Sequence, residues 1–141
     1  MSLYTVLGIS GSAMSAQSVR LNTVASNLAN ANDVASSAQK AYHARQPLFE
    51  ATLQAAQSGN SDPSAIGVRV TGIQQSAKPV RMEYKPGNPL ANKNGYVYTS
   101  DVNTVAQMAN MISASQSYQS DVNVMTTTKH LLLNALQLAN K

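Results

Sequence analysis

The residues that could move a proton, hold a metal or attack a carbonyl are few in this 141-residue chain: six Asp or Glu, two His and no Cys. Asp33, Glu50, Asp62, Glu83, Asp101 and Asp121 stand singly, and none has a second acid at helical or strand spacing to share a proton with. His43 and His130 lie far apart, without metal-ligand spacing. Without Cys there is no disulfide framework, zinc-thiolate site or thiol nucleophile. Gly8 and Gly11 bracket helical sequence instead of forming a phosphate loop between strand and helix. The tyrosines read as packing residues with a wet hydroxyl. Met82, Met108, Met111 and Met125 read as core filler. No catalytic, cofactor-binding or metal-binding residue emerges, and the chain is not expected to be an enzyme.

What the spacing does serve is helix packing. Leu7, Met14, Leu21 and Leu28 recur every seven residues, and Leu3 and Val24 fall on the interleaved positions of the same heptad. Ser10 and Gln17 occupy two further interleaved positions and make that seam imperfect. Near the other end, Val105, Met108, Ile112, Val122, Met125, Leu132, Leu133 and Leu136 mark a stripe at spacings of three and four, interrupted by Ser115, Gln119 and Thr126. These fourteen apolar residues are the candidate assembly seam.

The faces around the seam lack the usual Lys and Glu. From Met1 to Asn32 the one charged side chain is Arg20, and beyond Asn103 only Asp121, Lys129 and Lys141 are charged. Charged residues make up 11% of the chain, against about 25% in an ordinary soluble domain. Such helices are suited to being covered by protein on more than one side. The net charge of +4 is concentrated between Lys40 and Lys93 in scattered single residues. That pattern fits a solvated surface, or one facing an acidic protein, better than nucleic acid. No apolar run approaches the roughly 20 residues needed to span a bilayer. Leu3 to Ile9 is apolar but short, with no Lys or Arg before it, so no cleaved signal peptide is expected.

The elements that position the seam follow. A first helix is predicted from near Ser2 to about Ala31, ended by Asn30 or Asn32 as left-handed residues, with Val34 to Lys40 a linker. Tyr42 to Leu53 is a strand candidate that Pro47 confines to an edge, and 57–64 reads as loop. Ile66 to Ile73 and Val80 to Tyr84 alternate as strands. Pro86-Gly87-Asn88-Pro89 and Asn94-Gly95 are turn signals before the strand Tyr96-Val97-Tyr98. A second helix begins between Asp101 and Thr104, capped by Asp101, Asn103 or a Thr104–Gln107 capping box, and runs to Ala139. The predicted class is α+β: long terminal helices (1–33 and 101–141) pairing as a coiled-coil-like domain, with a small antiparallel β module (34–100) inserted.

Ser12 to Asn32, ending in Asn27-Leu28-Ala29-Asn30, resembles the shared amino-terminal motif of bacterial flagellar axial proteins, the rod, hook and hook-associated proteins. Tyr84 to Pro89, Gly95-Tyr96-Val97 and Ser113 to Gln119 are similar to the proximal-rod members of that family. The Thr-x-Gly-Tyr sequence that follows the motif in distal-rod and hook relatives is missing. Ser120-Asp121-Val122 stands where the family commonly has Ala-Asn-Val. The resemblance implies a structural subunit of the basal-body proximal rod, exported uncleaved by the flagellar type III apparatus and spanning the periplasm as part of a torque-transmitting shaft. It implies a helical assembly of copies with FlgB, FliE, FlgF and FlgG as neighbours, attached indirectly to the inner-membrane ring. A soluble helical binding module or secretion chaperone is the alternative; it would fold stably alone, whereas a rod subunit would order on assembly.

Overall fold

The computed structural model describes residues 2–53 and 66–139; the loop expected over 57–64 lies outside them. Along the chain come α1 (Leu3–Ala29), β1 (Val34–Ala35), β2 (Arg45–Leu53), β3 (Ile66–Gln75), β4 (Arg81–Tyr84), β5 (Tyr96–Thr99) and α2 (Thr104–Ala139). The class is the expected α+β. Long terminal helices pack against each other, and small strands lie between them in sequence. At 27 and 36 residues, the helices extend about 40 and 54 Å at 1.5 Å per residue.

Three local expectations are corrected. The segment read as a linker contains β1, which pairs antiparallel with β5 through Val34–Thr99 and Ala35–Tyr98. Neither Asn30 nor Asn32 is left-handed, since Gly95 is the one described residue with positive φ. Instead α1 tightens as it ends: the Ala31 and Asp33 amides donate to the carbonyls of Leu28 and Asn30. The Asn30 side chain returns to the Ser26 carbonyl at 2.7 Å. At the start of α2 the cap is Asn103, whose Oδ1 accepts the Ala106 amide at 3.0 Å. The Thr104–Gln107 capping box does not form, because the Gln107 side chain is committed to Asn27.

The chain divides into two compact units, each taking a piece of both helices and of the strands. The first contains Met1–Val19, Leu48–Gly72 and Ser113–Lys141. Its α1 segment holds β3 through Ser12, whose Oγ accepts the Val68 amide at 3.2 Å and donates to the Ile9 carbonyl at 2.7 Å. Gly67 permits that approach: a Cβ there would stand 3.1 Å from Ser12 Oγ. The residues buried in this unit are Ser10, Ala16, Ala114 and Thr128. Among the described residues its core is alanine and hydroxyl, with no large apolar side chain fully inside.

The second unit contains Arg20–Pro47 and Ile73–Ile112. In it, β5 lies between β1 and β4, and Val97 is completely buried. Ala31, Ala44 and Val102 form a small core against Tyr42. The turn before β5 is built by Asn92, whose Oδ1 accepts the amides of Asn94 and Tyr96. Gly95 sits there at φ 80°, and a Cβ on it would come 2.7 Å from the Tyr84 ring. Tyr84 and Tyr96 meet edge to face at 5.2 Å.

Candidate assembly surface

A polar cluster is centred on Asn27, which is fully buried. Its Oδ1 accepts the Arg45 amide at 2.9 Å and the Tyr42 hydroxyl at 3.0 Å. Its Nδ2 donates to the Arg45 carbonyl at 2.8 Å and to Gln107 Oε1 at 3.2 Å. One amide side chain on α1 thereby fixes the first residue of β2 and the first turn of α2. Nearby, Asp101 Oδ1 accepts the Ala44 amide at 2.6 Å, and the Ser76 amide donates to the Ala44 carbonyl at 2.7 Å. Arg20, the one charged side chain of α1, reaches Asn110 Oδ1 at 3.4 Å.

Around this cluster the helices present two kinds of surface. On α1, Val24 is buried, whereas Leu3, Leu7, Met14, Leu21 and Leu28 are half-buried. The deepest α1 positions include Ser10, Val24 and Asn27, so the polar interleaved positions lie nearer the intramolecular contact than the seven-residue Leu and Met row. On α2 the buried residues Gln107, Ala114 and Thr128 stand at multiples of seven residues. Half-buried Met111, Tyr118, Met125 and Leu132 form the alternate row of the same heptad. Val122 is also half-buried. Val105 (75% exposed), Met108 (52%), Ile112 (63%), Leu133 and Leu136 all face outward, as do Val124, Leu131 and Leu138. The small and polar heptad of α2 is therefore what meets α1, and most of its large apolar residues are left over. Large apolar side chains exposed along one helix, with Gln107, Ala114 and Thr128 turned inward, mark an interaction surface.

No arrangement for chemistry accompanies these surfaces. Among the described residues no group of three His, Cys, Asp or Glu could hold a metal ion. His43 and Asp101 approach at 3.8 Å with no third group to complete a site. Nor is any described helix long and apolar enough to cross a membrane.

Both ends of the chain match models of known families. Residues 7–35 match the family described as flagella basal body rod protein, and residues 93–138 match the C-terminal family of the flagellar basal body rod proteins FlgE, FlgF and FlgG. The protein is thus of the flagellar rod class. The flagellar basal-body rod protein FlgC of Yersinia enterocolitica is 45% identical over 138 residues, covering 98% of each chain. That of Salmonella typhimurium is 41% identical over the same span, and that of Aquifex aeolicus 35% identical over 131 residues, 93% of this chain and 92% of its own. The chain belongs to the FlgC family of flagellar basal-body rod proteins. It is a structural component of the basal-body rod and not an enzyme, and the alternative of a soluble binding module or chaperone finds no support.

Proposed function

We propose that copies of this chain pack helically through the outward rows of α1 and α2 to build the proximal part of the rod and carry torque along it. The observation that carries this reading is the exposure of Val105, Met108, Ile112, Leu133 and Leu136 on a helix whose described residues include only two charged side chains, Asp121 and Lys129. The seam joins these to Val122, Met125 and Leu132 on α2, and to Leu3, Leu7, Met14, Leu21, Val24 and Leu28 on α1. The small core of the first unit adds support, since burying alanines offsets little of the roughly 1–2 kcal/mol per residue lost in ordering backbone. Neighbouring chains supply the missing burial: further copies, and FlgB, FliE, FlgF and FlgG. The subunit reaches the periplasm through the flagellar type III apparatus.

Ile112→Asp tests this directly. Ile112 is 63% exposed in the chain, so the purified variant should keep its stability within about 0.5 kcal/mol, as surface changes do. In the assembly each copy would bury an unpaired carboxylate, costing several kcal/mol, and the cells should neither swim nor yield complete rods. Normal rods from this variant would remove α2 from the assembly interface.

A further inference from the structure

Within the first unit, a groove runs between the helices. It is lined by Gln17 of α1 and by Ser113, Gln116, Ser117, Ser120 and Asp121 of α2. The groove holds serine hydroxyls and side-chain amides beside a single carboxylate, that of Asp121. Gln17 Oε1 is buried and has no hydrogen-bond partner among the described residues. Asp121 has no ion pair or hydrogen bond among the described residues. The serines leave the groove open to an incoming side chain, where longer residues would fill it.

The charge inventory of the helices points to the occupant. Among the described residues of α1 and α2 the formal charges are Arg20, Asp121 and Lys129. Arg20 is engaged with Asn110. That leaves one acid and one base on α2, both without partners, eight residues and therefore about 12 Å apart along the axis. They do not pair within the chain, but a second copy displaced along the helix direction by that distance brings its base to this acid. On the assembly reading above, we propose that Asp121 receives the Lys129 ammonium of a second copy. The ammonium's donors suit the unpaired carboxylate oxygens of Asp121. The contact would fix axial register between copies whose other contacts are apolar and tolerant of sliding.

Charge exchange tests the pairing in the flagellated source bacterium. Asp121→Lys and Lys129→Asp should each abolish swimming, and the double exchange should restore it. A double variant no better than either single one overturns the proposal. A silent Lys129→Asp also overturns it, since the base would then come from elsewhere. A second measurement needs no substitution. In isolated rods of mixed isotopic composition, a carbodiimide should join the Asp121 carboxyl to the Lys129 amine as an amide, with loss of water, in peptides carrying both labels. Rods that contain the chain but give no such peptide refute the ion pair and leave the rod assignment standing. Basal bodies lacking the chain would refute both.

Discussion

Asn27→Ala removes four hydrogen bonds at once, because both bonds to Arg45 backbone atoms, the Tyr42 hydroxyl and the Gln107 amide end on one side chain. A satisfied hydrogen bond contributes about 1 kcal/mol net, and each buried group left unpaired costs about 1–3 kcal/mol. Arg45 is exposed and Tyr42 half-buried, so water can replace some of the lost partners; Gln107 is buried and is harder to rescue. A loss of about 3–5 kcal/mol from the second unit follows. That is a large share of the 5–15 kcal/mol by which a domain is stable. Asn27→Asp keeps both bonds accepted by Oδ1 but replaces the donor with an oxygen facing the Arg45 carbonyl and Gln107 Oε1, so it should be at least as damaging. Amide exchange of the purified chain reads the effect at the Arg45 and Ala44 amides. Unchanged protection at both in Asn27→Ala would refute the claim that this amide joins α1, β2 and α2.

Two further substitutions bracket the account. Gly95→Ala forces a Cβ into the Tyr84 ring at 2.7 Å and a side chain into a positive-φ position, so it should lower the thermal midpoint of the second unit by several degrees, a loss of at least ~1 kcal/mol. Arg69→Ala removes a surface pair with Glu50 at 3.0 Å in which both side chains are more than half exposed; stability should change by less than about 0.5 kcal/mol, and swimming should be unaltered.

Much of this was legible in the amino-acid sequence, and the part that was not has a physical cause. Seven-residue spacing located α1, spacings of three and four located α2, and the lack of charge marked both; Asn94-Gly95 and the alternation of Val80 to Tyr84 located the β5 turn and β4. The face of α2 that meets α1 was not legible from hydrophobicity. Close packing of two helices in the first unit uses Ala114 and Thr128, and the large residues that dominate a hydrophobic stripe are kept for the outside. Asn27 stood inside a recognised motif, yet its bonding was hidden because its partners, Tyr42, Arg45 and Gln107, are 15, 18 and 80 residues away. The available signal was local: Asn is a poor residue for a helix interior, and one kept there has other work. The pairing of β1 was missed because Val34-Ala35 is too short to alternate.

Hydrogen exchange on the free chain and on the chain in isolated rods tests the central claim most directly. In the free chain, amides of 20–29 and 104–112, held by the Asn27 cluster, should be protected. Those of 3–19 and 113–139, with little beyond alanines to bury, should exchange near the unfolded rate. In the rod, both sets should become strongly protected. Equal and strong protection of 3–19 and 113–139 in the free chain would mean that the helices are complete without neighbours, contradicting the account.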